Sequence, residues 1–244
     1  MEDLIAILDE IRQQLHQCAL IFYADPAILQ GTQLPTKQSK SETYELTSKN
    51  AADGLKAKLT LLAENVIMAE VQFKHPKTTG GHYRGTAQPE VQWKLTQIQD
   101  ARNLCQRSHD DVRALIQTLI DEPNLEEPGR AAVREVAESI KVSLLTARNT
   151  LTIPKKRSLL ELYHFAPTKK FQPPLSQDVL LSFYVSGAKI VCASYQMLAK
   201  SAAPTQSLAV SVAECPLDGF DHALYLLSAS INNLQQLVHL IEAI

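Results

Sequence analysis

Two long apolar stripes constrain this chain more than any other feature. Val91, Leu95, Ile98, Arg102, Cys105, His109, Val112, Ile116 and Leu119 alternate steps of four and three, which predicts one helix of about 30 residues and roughly 45 Å. Phe220, Leu224, Leu227, Ile231, Leu234, Val238 and Ile241 repeat the spacing without a polar interruption. A lone helix with such a stripe leaves its apolar side wet, so the stripes have to pack against one another. Partners are at hand. Leu4, Leu8, Ile11, Leu15 and Cys18 open the chain in the same rhythm, and Val133, Ala137, Ile140, Leu144, Ala147 and Leu151 run up to Pro154. "DEPNLEEPG", Asp121 to Gly129, closes a helical hairpin between the second and third of these stripes. A further helix is expected from Ser176 as N-cap, carrying Leu181, Tyr184, Ala188, Val191, Tyr195 and Leu198.

Elsewhere the period drops to two. Leu55, Ala57, Leu59 and Leu61 alternate with Lys56, Lys58 and Thr60, as in a sheet with one wet face. "ETYELTS" (Glu42 to Ser48), "NVIMAEVQF" (Asn65 to Phe73), "ALIFYAD" (Ala19 to Asp25) and "SLAVSVAEC" (Ser207 to Cys215) read as further strands, and Lys74 to Gln88 as a loop. The expected fold is α+β: an antiparallel helical bundle of long helices beside a small antiparallel β domain built from non-contiguous segments. The bundle takes residues 1–18, 89–200 and 217–244, and the β domain residues 19–74 and 205–216.

Charge and cysteines limit the function classes. With 24 Lys and Arg against 26 Asp and Glu, the net charge of -2 carries no global signal for nucleic acid or an anionic membrane. Cys18, Cys105, Cys192 and Cys215 lie far apart and mostly within apolar patterns, where reduced thiols pack as small hydrophobes, so a cytosolic chain is expected. No apolar run approaches the roughly 20 residues of a spanning helix, and "MEDLIAILDEI" is acidic where a signal peptide is basic.

Chemistry-bearing motifs are missing from the sequence. There is no P-loop, no GxGxxG and no GxSxG. His16 and Cys18 lack a partner pair, Ser108 to Asp111 reads as the polar side of a helix, and His75 and His82 read as exposed loop histidines. No metal or cofactor is expected. Lys155, Lys156, Arg157, Lys169 and Lys170 lie in one exposed connection and are candidates for contact with an acidic partner or phosphate headgroups, or are simply solvated.

One repetition stands out. Ala-Arg-Asn occurs at Ala101–Asn103 and again at Ala147–Asn149. If residues whose numbers sum to 251 lie level across the helical hairpin, Arg102 meets Asn149 and Asn103 meets Arg148, about 28 Å from its tip. These four side chains would form a buried polar layer that fixes register. The alternatives are arginines whose heads snorkel to the rim, or a ligand or partner site.

"QWKLTQIQDARN" (Gln92 to Asn103), "LLTARNTLTIP" (Leu144 to Pro154) and "FAPTKKFQPPLSQDVLLSFYVSGAKIVCASYQML" (Phe165 to Leu198) resemble the Rogdi leucine-zipper family. The resemblance implies a two-part protein without catalysis or cofactor of its own, the smaller subunit of the RAVE complex. Such a subunit works with a large β-propeller scaffold of the rabconnectin type. Together they promote reassembly of the peripheral sector of the vacuolar-type proton ATPase onto its membrane sector. The expected protein is monomeric by itself and cytoplasmic, recruited to vacuolar or endosomal membranes only indirectly, and a nuclear pool is compatible with it. Two rival readings are a ligand-binding or enzymatic protein with a cleft between sheet and helices, and a coiled-coil homodimeric adaptor.

Overall fold

The computed structural model describes residues 2–22, 41–50, 54–88, 93–122, 126–198 and 207–243. The chain divides into a helical unit (Met1–Gln38, Gln97–Thr152, Asp218–Ile244) and a sheet unit (Ser39–Thr96, Ile153–Leu217).

The helical unit holds four long helices: α1 (Glu2–Phe22), α2 (Thr96–Asp121), α3 (Glu127–Thr152) and α5 (Phe220–Ala243). Their buried faces follow the stripes. Leu4, Leu8, Ile11, Leu15 and Cys18 are buried on α1, and Val133, Ala137, Ile140, Leu144, Ala147 and Leu151 on α3. Glu2 and Asp3 in the first turn of α1 complement the positive end of the helix dipole. Cys18 Sγ donates to the carbonyl of Ala223 at 3.6 Å and Ser230 Oγ donates to Gln14 Oε1 at 2.8 Å, so α1 and α5 run antiparallel. Phe22 meets Phe220 edge to face, ring centroids 5.5 Å apart. Gln97 Nε2 donates to the Thr150 carbonyl at 2.7 Å and ties α2 to α3.

The sheet unit contains β1 (Glu42–Ser48), β2 (Lys56–Leu62), β3 (Asn65–Lys74), β4 (His82–Ala87), β5 (Trp93–Lys94), β6 (Phe171–Gln172), β7 (Val179–Ser186), β8 (Lys189–Leu198) and β9 (Ser207–Pro216). They pair antiparallel in the order β6-β4-β3-β2-β1-β9-β8-β7, with β5 added to β3. The sheet curls so that β7 and β8 approach β5 and β3: Gln196 Nε2 donates to the Lys74 carbonyl at 3.1 Å, and Trp93 meets Phe183 at 4.7 Å between centroids. Beside the β4–β6 pair, Tyr83 Oη donates to the Pro173 carbonyl at 2.5 Å. Leu59, Val71, Phe73, Phe171, Leu181, Val185, Ile190 and Cys192 fill the concave side. Outside, α4 (Leu159–His164) lays Leu162 on Leu180, Tyr184, Val191, Ala193 and Tyr195.

The expectation of an antiparallel helical bundle with a small β domain is therefore overturned. The β part is a nine-stranded curled sheet that makes up one of the two units. The stretch from Ser176 to Leu198, expected as a helix, is the β7–β8 hairpin, and with it the connection from Ile153 joins the sheet unit. Residues 19–22 of the expected strand Ala19–Asp25 continue α1, and the expected loop after Lys74 contains β4. Tyr23 to Asp25, the polar segment up to Lys40, the hairpin tip at 123–125 and Val91 lie outside the described residues.

Candidate functional site

The repeated tripeptide does not gather into a single buried layer. Arg102 and Arg148 are half-buried, whereas Asn103 and Asn149 are exposed. Gln97 reaches Thr150, one helical turn from the level at which the hairpin geometry had placed its partner. His109, on the same stripe, is half-buried with its ring 6.4 Å from that of His16.

The basic connection is built more tightly than a solvated loop. Pro154 lies just beyond the end of α3 at Thr152. Ser158 then caps α4: its Oγ accepts from the Glu161 N–H at 3.2 Å while Glu161 Oε2 accepts from the Ser158 N–H at 2.7 Å. Hydrogen bonding from the Ser158 backbone first and from its side chain second holds the Glu161 carboxyl below its ordinary value, with help from Arg157. At the other end Thr168 Oγ1 donates to the Phe165 carbonyl at 2.6 Å and the Leu162 carbonyl at 3.2 Å. The frame so fixed seats three of the five predicted cations on aromatic rings. Arg157 lies 4.2 Å from the Phe165 centroid, Lys156 5.4 Å from Tyr184 and Lys169 5.9 Å from Tyr163. Phe165 in turn packs edge-on to Trp93 at 4.9 Å. Lys155 and Lys170 are exposed in the same connection. Among these cations project Leu160, 70% exposed, and Tyr163, 51% exposed. Sequence reasoning found the cations and missed their aromatic seats. The "LYHF" run at Leu162 to Phe165 was the available signal.

Two further surfaces belong to the sheet unit. A groove of about 260 Å³ runs over β1 to β4, lined by Glu45, Lys56, Lys58, Glu70 and Arg84. Four of its five charges pair within it, Lys58 with Glu45 at 3.6 Å and Arg84 with Glu70 at 4.0 Å, so only the Lys56 charge is left over to face a ligand. On β9, Leu208, Val210 and Val212 alternate on one face at 43, 50 and 38% exposure. β8 flanks this stretch on one side, but β1 meets β9 only through Thr47 and Ser48, opposite Glu214 and Ala213. Among the described residues, β9 therefore has no strand beside 207–212 on that second edge.

Nucleophile chemistry finds little support. Burial pushes the Cys18 and Cys192 thiols up to about 12 and raises Cys105 well above its ordinary value, with Cys18 adding to the last effect, so none is a thiolate near neutral pH. Among the described residues, no three His, Cys, Asp or Glu side chains are grouped to hold a metal ion. No helix there is long and apolar enough to cross a membrane.

Comparison with known proteins gives a consistent likeness. A family model described as Rogdi leucine zipper containing protein matches residues 1–238. The protein rogdi homolog of Caenorhabditis elegans is 37% identical over 254 aligned positions, covering 99% of this chain and 85% of the relative. Protein rogdi of Drosophila melanogaster is 30% identical over 197 positions, covering 81% of this chain and 68% of the fly protein. The human protein rogdi homolog is 30% identical over 197 positions, covering 80% of this chain and 63% of its own length.

Proposed function

The chain belongs to the Rogdi leucine-zipper family, and from that premise we propose that it is a non-enzymatic assembly factor, the accessory subunit of a RAVE-like complex. In this role it joins a large β-propeller scaffold of the rabconnectin type and promotes reassembly of the vacuolar-type proton ATPase. It is cytoplasmic, recruited to vacuolar or endosomal membranes through that complex, and monomeric when alone.

The observation that supports a contact role is the β9 stripe. A strand with three large apolar side chains outward and, among the described residues, no strand beside 207–212 on one edge is a surface that a second chain can extend, through main-chain hydrogen bonds and alternate side-chain contacts. We assign this edge to an extended segment of the scaffold. Edges of this kind are usually blunted by charge or covered, and Val210 at the middle of the stripe is uncharged and half exposed among the described residues.

The test is affinity purification of the tagged full chain from cell extract, with partners identified by mass spectrometry. The expected result is recovery of a large propeller protein and of peripheral-sector ATPase subunits, with recovery lost in Val210→Lys. Deletion is expected to slow reacidification of the organelle. Recovery of the chain alone, together with normal acidification after deletion, would overturn the reading. A solution mass near twice 27.0 kDa would favour the homodimeric adaptor instead.

A further inference from the structure

Between Ile153 and Gln172 the chain gathers Lys155, Lys156, Arg157, Lys169 and Lys170 against one carboxylate, Glu161, while the rest of the protein carries more acidic than basic side chains. Glu161 is already engaged by the Ser158 N–H of the α4 capping box. The result is a local basic field on a molecule of net charge -2.

Solvation alone accounts for exposed cations. It does not account for large apolar side chains placed among them. α4 turns Leu162 inward, and a residue two positions earlier lies about 200° round the helix, so Leu160 stands on the outer side of the turn. Tyr163 stands beside it under Lys169, and Ile153 and Leu159 are exposed in the same segment. A peptide ligand is received by a groove or by an open strand edge. This feature is neither, an apolar crest rising from a ring of cations. Cations stacked on Phe165, Tyr184 and Tyr163 keep their charged ends outward at reduced cost in side-chain freedom. A crest of Leu and Tyr among Lys and Arg matches a soft, planar, negatively charged surface. There the aromatic and aliphatic groups enter the headgroup layer and the cations lie on phosphates.

We propose that the α4 platform binds directly to the surface of an anionic phospholipid bilayer. Leu160 and Tyr163 enter the interface, and Lys155, Lys156, Arg157, Lys169 and Lys170 supply the attraction. This contact is interfacial, in keeping with the absence of a spanning helix among the described residues. The scaffold contact assigned to β9 lies beside it on the same face of the sheet, Val210 opposite Tyr195 and Val212 opposite Ala193 of the cluster under α4, and a test run without any scaffold reads the α4 contact by itself.

The experiment is vesicle flotation with the full chain, using vesicles of phosphatidylcholine alone and vesicles with about 30% phosphatidylserine. Flotation is expected with the anionic vesicles only, and its reversal at about 0.5 M salt, where the screening length shrinks below 5 Å. Lys155→Gln, Lys156→Gln and Arg157→Gln together are expected to weaken binding roughly 100-fold, and Leu160→Ser about 10-fold. Lys56→Gln with Lys58→Gln, on the distant groove, is expected to change nothing. Thermal melting checks that each variant folds. Should the triple variant melt early, Leu160→Ser decides alone, because that side chain is 70% exposed and carries little of the fold. Absence of flotation overturns the proposal, as does equal flotation on neutral vesicles or anionic binding that ignores every α4 substitution. Capture of polyglutamate by the parent chain, lost in the triple variant and without flotation, would assign the platform to an acidic protein instead.

Discussion

Asp178 is the residue on which the closing of the curled sheet converges. Its carboxylate accepts from Lys77 Nζ at 2.6 Å and from Ser176 Oγ, and lies 3.4 Å from His75 Nε2, while His75 Nδ1 is 2.9 Å from Thr78 Oγ1. Burial by itself would raise the Asp178 carboxyl. The hydrogen bonds from Lys77, from Ser176 and from its own backbone, with the Lys77 charge, together outweigh burial and hold it at about 2, below the ordinary 3.8. A carboxyl depressed in the folded state adds stability above its ordinary value, and that contribution is lost as pH falls through about 4 towards 2. Asp178→Asn is therefore expected to cost about 1–2 kcal/mol at neutral pH, and its deficit in thermal melts is expected to close between pH 4 and pH 2. A deficit unchanged at pH 2 would show that the carboxylate's charge is not what matters. None of this was legible in the sequence. His75 read as an exposed loop histidine and is buried at 3% exposure. Its partner lies more than 100 positions away, and no local pattern announces a pairing set by the curl of a sheet. The basic connection was legible as charge, and its aromatic seats were hidden for the same reason.

At the scale of elements, the long stripes of α1, α3 and α5 were readable because one face of each helix is buried and the other wet, which keeps the period visible. The β7–β8 hairpin misled for the complementary reason. Leu181, Phe183 and Val185 face the concave side while Leu180 and Tyr184 lie under α4, so β7 is buried on both faces and loses its period of two. A continuous apolar run then admits a helical spacing such as Leu181, Tyr184, Ala188 and Val191. The turn residues pointed the right way, since Gly187 and Ala188 both take positive φ, 56° and 59°, as a two-residue hairpin turn needs. The β2–β3 turn carries a similar strain at Ala63, with φ of 51°. An L-residue with a side chain costs roughly 1–2 kcal/mol there, and glycine's greater freedom in the unfolded chain takes back about half of that. Ala63→Gly is expected to raise stability by about 0.5–1 kcal/mol, read as a higher denaturant midpoint with unchanged slope. A lower midpoint would mean that the turn gains more from the Ala63 methyl than it loses to strain.

At the scale of the whole molecule, the units are interleaved: the chain leaves the helical unit after Gln38 and Thr152 and returns at Gln97 and Asp218. Neither unit is one continuous piece of chain. If the sheet unit unfolds, its two segments of 58 and 65 residues become loose loops hanging from the helical unit. Holding the ends of each such loop costs about 3–4 kcal/mol by the logarithmic loop-closure law. Two loops together cost about as much as the entire stability of many domains, roughly 5–15 kcal/mol, so the helices are not expected to survive the loss of the sheet. Phe73 provides the probe. It is 1% exposed on the concave side and stacks on Tyr83 at 4.9 Å, far in sequence from any long helix. Phe73→Ala is expected to cost about 3–5 kcal/mol and to lower the melting temperature of the helical signal by the same amount as that of the β signal, in one transition. Helices that melt unchanged while the sheet signal drops would show that the crossings at 38–39, 96–97, 152–153 and 217–218 are slack tethers, and that the helical unit stands alone.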